Sequence, residues 1–576
     1  MKNFLRSKKS KLVIILIIAA IFRLYGINWD QNQHLHPDER FLTMVTQSFT
    51  APKNLWSYLD PKKSSFNPYN TGFNFFVYGS LPLTINKITS SIIKIDNFDY
   101  NNTTLVGRIL STIFDLGTVF LVFVITKKIF DHKTGIIAAF LYSVSVLPIQ
   151  LSHFFAVDTF LNFFIVLSFY FLILLISTKS IFNSIFIGFT LGLALACKIS
   201  SVLFIPVIGM GLLFYLLKYK NFQKFLLAGI LIVISFYVSS RIADPGIFKN
   251  NNFLNPTPNP LFIANLKQLK SFDNPDEFFP PGIQWIKTKA IIFPLKNMIL
   301  WGFGTPLGIL VIPGVIYSAF ILVKYFKPSN RLTARLPAGQ VQQYGGLLIL
   351  FWTLFLFIYQ GVQFAKSMRY FLPIYPFLAI MTANFLLKCF ETLKQRFGKN
   401  IVSLIYCFVV ILILVWPFSF ISIYSKAHSR VTASNWIYKN FPPGSIISCE
   451  YWDDCLPLPL GQKNYTYYHT ETLTLFDPDT PQKWQKINNQ LAELDYLIMS
   501  SNRLWGSIPK VPGKYPITTK FYNDLFAGKL RFTKVAEFTS YPTIPILNIR
   551  IPDDIADESF TVYDHPKVLI FQRSQK

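Results

Sequence analysis

The sequence predicts an α-helical protein that crosses a membrane about eleven times and ends in a mixed α/β domain. The 576 residues are 52% hydrophobic, and their mean hydropathy is +0.38. Apolar runs recur along the first three quarters of the chain, each long enough to span the ~30 Å hydrocarbon core as a helix. Helices are favoured because they satisfy their own backbone hydrogen bonds in lipid, whereas barrel strands would alternate apolar and polar residues.

The net charge is +26, from 55 Lys and Arg against 29 Asp and Glu. On a soluble protein this excess would suggest nucleic acid as the partner. Here much of the excess lies between apolar runs, which is the pattern that the positive-inside bias of membrane proteins produces. We therefore expect the lipid bilayer as the partner, and no nucleic acid.

Apolar runs define the predicted spans, and the Lys and Arg residues between them define their orientation. The basic N-terminus and every strongly basic connector fall on one side, which predicts a cytoplasmic N-terminus for a protein of the plasma membrane. No small-residue cleavage site follows the first apolar run, so we expect an uncleaved first span. The predicted membrane domain, 1–424, includes two long outer loops, 28–103 and 241–296, and an extracytoplasmic domain, 425–576, follows it. The predicted spans are 12–27, 104–126, 134–151, 159–177, 181–197, 201–217, 225–240, 297–323, 345–362, 370–388 and 401–423.

Five cysteines are present, and only two of them fall in the predicted outer domain. Cys449 and Cys455 lie six residues apart. Outside the membrane such a pair can form a disulfide, but their spacing matches no metal-binding motif, so pairing stays open.

The strongest local signal is the stretch His34 to Phe41, just after the first span. It places two adjacent carboxylates, Asp38 and Glu39, beside His36 and Arg40 at the membrane surface. One interpretation is the polar start of a helix, since Pro and acidic residues suit the first turn. The other is a catalytic site, because a carboxylate there can serve as a general base.

A second signal lies between the third and fourth spans, where His153 precedes Asp158. Asp158 opens a very apolar run, and ionisable groups at the edge of a span usually face protein or a cavity. It could also act as the N-cap of that helix, and the two roles are compatible.

Cations and aromatic residues fall at the same predicted outer level. The positive-inside bias should deplete this face of Lys and Arg, so they need partners such as a lipid phosphate, unless their side chains merely snorkel. Aromatic residues beside an amide suit a sugar ring as well as an interfacial belt. The residues concerned are Arg108, Lys198, Lys366, Arg369 and Tyr370, with Gln284 and Trp285 in the second outer loop.

Together these groups suit the attack of a hydroxyl or amine on a sugar carried by a lipid phosphate. A carboxylate would accept the proton, and cations or a metal would stabilise the departing phosphate. No glycine-rich phosphate loop of the nucleotide-binding type is present. A lipid or sugar transporter remains an alternative, although it would place charges deep within several spans and show repeat symmetry. A non-catalytic scaffold is the third alternative.

At these residues the chain resembles the GT-C glycosyltransferases of family 39, which include the protein O-mannosyltransferases and the bacterial aminoarabinose transferases. The resemblance rests on His36–Pro37–Asp38–Glu39, Gly107–Arg108, the stretch from His153 to Asp158, Lys198, and Arg369–Tyr370 with Pro373 and Pro376. It covers most of residues 1–390. In the aminoarabinose transferases an arginine follows the Asp by three positions, whereas Arg40 follows Asp38 by two.

The resemblance implies a polyprenyl-phosphate sugar donor, transfer on the outer face, and inversion at the anomeric carbon. Asp38 is then the base, and Glu39 and Asp158 orient the acceptor or, together with Asp38, a divalent metal ion. No cofactor is strictly required. The acceptor would be a glycan, a lipid or a protein. The substrate-binding residues would be His36, Arg40, Arg108, His153, Lys198, Gln284, Trp285, Arg369 and Tyr370.

The C-terminal part also resembles the tails of bacterial relatives whose role is unassigned. The similar segments are 430–436, 450–454 and 560–566. Within them Glu450, Asp453, Asp454 and His565 are open to two interpretations, as ligands for a metal or acceptor and as structural residues.

Overall fold

The computed structural model describes residues 8–93, 99–325 and 337–574. The first residues of the basic N-terminus and most of the predicted basic connector 324–335 therefore lie outside the described residues. Up to residue 421 the described chain is almost entirely helical. In chain order its helices are α1 (Lys8–Leu24), α2 (Pro37–Ser48), α3 (Leu55–Leu59), α4 (Leu81–Ile92), α5 (Tyr100–Ile129), α6 (His132–Ser143), α7 (Val146–Ser152), α8 (Val157–Thr178), α9 (Phe182–Leu195), α10 (Ile205–Tyr219), α11 (Phe222–Ala243), α12 (Pro260–Ser271), α13 (Ile292–Asn297), α14 (Thr305–Tyr325), α15 (Pro337–Gly361), α16 (Tyr375–Phe397) and α17 (Lys399–Ile421).

The predicted multi-pass helical fold is confirmed. In the described residues, eight helices are long and apolar enough to cross a membrane, and a ninth if α6 and α7, which meet at a 58° bend, form one span. The other two predicted spans correspond to α1 and α9. Within the described residues these helices have 17 and 14 residues, fewer than the ~20 that usually cross the hydrocarbon core.

Two predicted spans begin with irregular turns that matter for the site. The span predicted over 297–323 starts with a π-helical turn, Met298–Gly302, and becomes α-helical only at Thr305. The span predicted over 370–388 starts with a 3₁₀ segment, Met368–Ile374, which contains Pro373 and precedes α16. Arg369 therefore lies on a tight turn at the end of a span rather than on a regular helix.

The two predicted outer loops contact each other, as they must if they share one side. The Tyr58 hydroxyl donates to the carbonyl of Ile242 at 2.8 Å, and the Asn265 amide donates to the carbonyl of Asn74 at 3.0 Å. Lys128 and Lys218, beside two of the predicted basic connectors, are near enough to repel each other electrostatically. These contacts agree with the alternation that the sequence predicts.

The residues after α17 form a mixed α/β fold, as predicted. The elements are α18 (Ser429–Asn440), β1 (Ile446–Glu450), β2 (His469–Leu473), α19 (Pro481–Glu493), β3 (Tyr496–Met499), α20 (Pro516–Phe526), β4 (Phe532–Phe538), β5 (Thr543–Ile544), β6 (Ile549–Arg550), α21 (Glu558–Thr561) and β7 (Val568–Arg573). Five strands make one sheet in the order β2–β1–β3–β7–β4; β1 is parallel to β2 and β3, and β7 is antiparallel to β3 and β4. A disulfide joins Cys449 and Cys455.

The C-terminal fold packs on the end of the membrane helices that carries the outer loops. Gln33 donates to the carbonyl of Pro459 at 3.1 Å, and Arg40 forms an ion pair with Asp454 at 2.9 Å. The Gln150 amide donates to the carbonyl of Phe560 at 2.7 Å. The loops and the C-terminal fold therefore belong to the same side of the membrane helices.

We predict that this shared side is extracytoplasmic. In a variant lacking Cys197, Cys389 and Cys407, a membrane-impermeant maleimide added to intact cells should label Lys62→Cys and Lys529→Cys, because both positions belong to the shared side. Lys394→Cys, in the last turn of α16, should react only after the cells are permeabilised. Labelling of Lys394→Cys in intact cells would contradict the orientation.

Candidate active site

His36 sets the start of the helix that carries the two adjacent carboxylates. Its Nδ1 accepts a hydrogen bond from the Glu39 backbone N–H at 3.3 Å, which makes it the N-cap of α2. Its ring packs between Phe154 and Tyr563, with centroid distances of 4.5 and 4.2 Å. Burial lowers the pKa of His36 to about 4, so the ring is neutral at neutral pH and can accept this bond.

Asp38 and Glu39 point in different directions because successive residues of a helix lie about 100° apart. The Glu39 side chain is fully buried, and it accepts hydrogen bonds from Arg108 Nε at 3.0 Å and from the Phe155 N–H at 2.7 Å. The Asp38 side chain is 26% exposed and forms an ion pair with Arg369. Of the pair, only Asp38 is therefore accessible to a substrate.

Arg108 joins three segments at the outer end of α5. Its guanidinium binds Glu39, Asp30 Oδ2 at 2.8 Å, and the carbonyl of Ile27 at 2.8 Å. It also lies over the Trp29 ring, 5.0 Å from the centroid. With 1% of its side chain exposed, Arg108 positions α2 and is not free to bind a substrate.

A second carboxylate–cation pair lies on other elements. Asp158, in the first turn of α8, accepts a hydrogen bond from Lys198 Nζ at 2.9 Å. Lys198 follows α9 at the tip of the predicted hairpin, and its ammonium lies 5.0 Å from the centroid of the Tyr370 ring. Tyr370 follows Arg369, so this turn brings both pairs to one place.

A cavity of about 420 Å³ opens beside these two pairs. Asp158, Lys198, Arg369 and Tyr370 line part of it, together with Tyr78. Apolar side chains of the membrane helices, among them Leu161, Leu203, Trp352 and Leu356, line much of the rest, and residues of the second outer loop, including the charged Lys270 and Asp273, also contribute. A largely apolar cavity with cations in its wall has the chemistry to hold a lipid with an anionic headgroup.

Five of the predicted site residues line this cavity: Asp158, Lys198, Trp285, Arg369 and Tyr370. Others bind protein groups outside it. Arg40 pairs with Asp454, and Gln284 Oε1 accepts a hydrogen bond from the Glu558 N–H at 3.2 Å. His153 lies between the carbonyl oxygens of Ile149 and Tyr25, 2.8 and 2.9 Å from its two ring nitrogens.

The carboxylates proposed as a metal set are each paired with a different cation: Asp38 with Arg369, Glu39 with Arg108, and Asp158 with Lys198. Within the described residues, the group whose ligand atoms converge is Asp30, His34 and Glu39. Both carboxylates of this group, Asp30 and Glu39, already accept hydrogen bonds from Arg108. A divalent ion would have to displace that buried guanidinium, so this group fits a metal poorly.

The sequence analysis did not single out Tyr78. Its neighbour Gly79 donates its N–H to the carbonyl of Cys197 at 2.9 Å, and a Cβ on Gly79 would lie only 1.9 Å from the carbonyl oxygen of Ala196. The glycine therefore allows the close approach that fixes Tyr78 beside Lys198. The signal that could have drawn attention to Tyr78 is the Gly-Ser-Leu-Pro stretch directly after it, which is typical of the start of a helix.

Charge on the cavity wall keeps Asp38 ionised. Burial by itself would raise the pKa of Asp38, but the nearby positive charges of Arg369 and Lys198, with His36, together lower the pKa well below its usual range. The carboxylate is thus present as the anion at neutral pH. While Arg369 remains bound to it, however, Asp38 is a weak base.

We predict that substitutions at the two adjacent carboxylates separate structural from chemical roles. Glu39→Gln breaks a fully buried ion pair and should lower the free energy of unfolding by about 3–5 kcal/mol. Asp38→Asn alters a partly exposed pair and should cost no more than ~1 kcal/mol. Thermal unfolding in detergent measures both, and equal losses of stability would contradict the division.

The family comparison matches residues 91–240 to the family described as dolichyl-phosphate-mannose-protein mannosyltransferase. This segment contains Arg108, His153, Asp158 and Lys198. No curated protein matches the chain.

Among solved structures, the oligosaccharyltransferase of Archaeoglobus fulgidus in complex with Zn and sulfate matches at 13% identity and a TM-score of 0.46, covering 89% of this chain and 71% of that chain. The same archaeon's AglB with an inhibitory peptide and a dolichol-phosphate matches at 12% identity and 0.46, covering 98% and 88%. ArnT of Cupriavidus metallidurans bound to undecaprenyl phosphate matches at 11% identity and 0.37, covering 93% and 96%.

At these scores the structural likenesses support no conclusion about the function of this chain. The family match covers a quarter of it, including the helices that carry one wall of the cavity. The match shows that residues 91–240 of this multi-pass membrane protein are similar to the dolichyl-phosphate-mannose-protein mannosyltransferases, and over that segment it confirms the predicted resemblance.

Proposed function

We propose that the protein transfers a sugar from a polyprenyl-phosphate sugar to an acceptor on the outer face of the plasma membrane, with inversion and with Asp38 as the base. The observation that carries the proposal is the cavity, which is lined largely by apolar side chains and has Lys198 and Arg369 in its wall. A polyprenyl chain suits the walls, and its phosphate suits the two cations.

The two cations suit the departing phosphate better than the bound donor. A lipid-linked sugar phosphate is a diester with one negative charge, and the leaving monoester carries a further charge when the sugar departs. Cations fixed beside that oxygen stabilise the charge that develops in the transition state. Arg369 and Lys198 are held by Asp38 and Asp158, so they are in place before the donor binds.

Donor binding would also prepare the base. A phosphate at Arg369 competes with Asp38 for the guanidinium, and the pKa of Asp38 rises as that ion pair weakens. The carboxylate then takes the proton of the acceptor while the acceptor atom forms its bond to the anomeric carbon. The bond from that carbon to the phosphate oxygen breaks, and its electron pair leaves with the lipid phosphate. Attack from the side opposite the phosphate inverts the anomeric centre.

The remaining site residues divide into two groups in this proposal. Trp285 and Tyr370 line the cavity and offer aromatic faces to the sugar. Glu39, Arg108, His36 and His153 hold the backbone that presents Asp38, and Arg40 and Gln284 hold the C-terminal fold against it. Asp158 keeps Lys198 oriented. In the proposed step, cationic side chains of this chain stabilise the departing phosphate.

A transporter is the alternative from another class, and it would use charged groups deep in the spans. The described spans do contain such a pair, Arg23 and Asp115, whose atoms approach to 2.6 Å with both side chains fully buried. Asp115 also accepts a hydrogen bond from the Tyr142 hydroxyl. This pair does not line the cavity, so we interpret it as a link between helices.

The direct test is transfer or hydrolysis by the purified protein in detergent. The donors would be undecaprenyl-phosphate mannose, glucose, galactose and aminoarabinose, each radiolabelled. Wild-type protein should release or transfer the sugar of one donor, and Asp38→Asn should do so about 10²–10⁴ times more slowly, the usual contribution of a general base. Near-normal turnover by folded Asp38→Asn would remove Asp38 from this role.

A second prediction concerns the phosphate. Lys198→Gln and Arg369→Gln should each weaken binding of undecaprenyl phosphate about 10-fold or more, because each removes a charge-assisted hydrogen bond. Lys289→Gln is the matched control, since Lys289 is an exposed cation of an outer loop that does not line the cavity. Equal affinity in all three variants, measured by titration in detergent, would mean that the phosphate binds elsewhere.

A further inference from the structure

A segment of the C-terminal fold, residues 557–565, is built into the outer end of the membrane helices. Asp557 accepts a hydrogen bond from the N–H of Met368, the residue before Arg369, at 2.7 Å. Ser559 Oγ lies 2.8 Å from Ser367 Oγ. This segment therefore contacts the turn that presents Arg369 to Asp38.

The far end of the same segment is anchored equally firmly. Asp564 accepts hydrogen bonds from the Tyr424 hydroxyl at 2.8 Å and from the Gln150 amide at 3.0 Å. Its other oxygen contacts the His565 ring, which also binds Asp553. His428 Nε2 lies 2.9 Å from the carbonyl oxygen of Tyr563. With both ends fixed, the position of Tyr563 between them is well defined.

Tyr563 packs against the residue that caps the helix of Asp38, and it forms no hydrogen bond with Asp38 itself. Its ring lies 4.2 Å from that of His36, the N-cap of α2. The charges of Arg503, Asp38 and Arg369 all act on its hydroxyl. The side chain is half-buried, and among the described residues its hydroxyl has no hydrogen-bond partner. The Tyr563 hydroxyl is therefore an unpaired polar group within the electrostatic reach of Asp38.

Tyr563 does not line the lipid-sized cavity, whereas Tyr78 does. The Asp38–Arg369 pair therefore stands between two surfaces: the cavity on the membrane side and Tyr563 on the side of the C-terminal fold. If the donor occupies the cavity, the acceptor has to reach Asp38 from the other surface, because inversion requires attack opposite the departing phosphate.

The charges on this second surface are already paired, which favours a neutral acceptor. Arg503 pairs with Glu558 at 2.7 Å, Arg40 pairs with Asp454, and Arg369 pairs with Asp38. An amine acceptor would arrive as an ammonium ion, since its pKa in water is about 10, and it would have to lose a proton before it could attack. A hydroxyl is neutral, and it can donate to Asp38 while accepting from the Tyr563 hydroxyl.

On the basis of the proposed function, we propose that Tyr563 is an acceptor-positioning residue, whose hydroxyl donates to an acceptor hydroxyl while Asp38 accepts its proton. The C-terminal fold thus supplies one side of the active site. Residues 560–566, which had no predicted role, thereby help to position the acceptor.

The test compares Tyr563→Phe with wild-type protein, using the undecaprenyl-phosphate sugar that the wild type consumes and glycerol as the hydroxyl probe. Tyr563→Phe keeps the ring on His36 and removes only the hydroxyl. It should lower the ratio of glycerol transfer to hydrolysis about 5- to 10-fold, the effect of one neutral hydrogen bond. Its affinity for undecaprenyl phosphate should equal that of the wild type. Tyr467→Phe, at an exposed tyrosine of the same fold, is the matched control and should behave as wild type.

An unchanged ratio in Tyr563→Phe would overturn the inference, and so would a parallel loss of lipid-phosphate affinity, which would mark a structural role. Hydrolysis without any transfer to glycerol by the wild type would also overturn it. A wild type that binds undecaprenyl phosphate but consumes no donor would instead refute the proposed function and, with it, this inference.

Discussion

The site depends on one buried guanidinium. Arg108 reaches from the outer end of α5 to Glu39 on α2 and to Asp30 and Ile27 in the segment before it. A buried charge is tolerated only when it is fully paired, so these partners must come together for the chain to fold. Because Glu39 is turned towards Arg108, its neighbour Asp38 is turned about 100° away, towards Arg369 and the cavity. The buried Glu39 thereby determines the direction in which the accessible Asp38 points.

With α2 held in this way by Arg108, the outer face of the protein presents two surfaces around Asp38. One belongs to the membrane helices, with a largely apolar cavity that has Lys198 and Arg369 in its wall. The other belongs to the C-terminal fold, which contacts the Arg369 turn through Asp557 and approaches Asp38 through Tyr563. A reaction between a lipid-borne donor and a polar acceptor needs two such surfaces with one base between them.

Much of this was predictable from the sequence, for physical reasons. Long apolar runs and the positions of Lys and Arg predicted where the helices lie, and the charged residues at one level made Asp158, Lys198 and Arg369 candidates for one site. The ion pairs between distant segments were not predictable. Nothing in the order of residues indicates that Arg40 binds Asp454, more than 400 residues away, or that Arg108 is used for structure. Tyr563 was inaccessible to sequence reasoning because its position depends on how the C-terminal fold packs. The apolar pattern also does not reveal the 58° bend between α6 and α7 or the shortness of α9.

The proposed reaction requires that a lipid phosphate binds between Lys198 and Arg369 and releases Asp38 from its ion pair. An experimental structure of the protein with undecaprenyl phosphate would test this requirement. We expect the phosphate within hydrogen-bond distance of both cations, the polyprenyl chain along Leu161, Leu203 and Leu356, and the Asp38–Arg369 pair opened or shared with the phosphate. A phosphate bound elsewhere, with that pair intact, would contradict it.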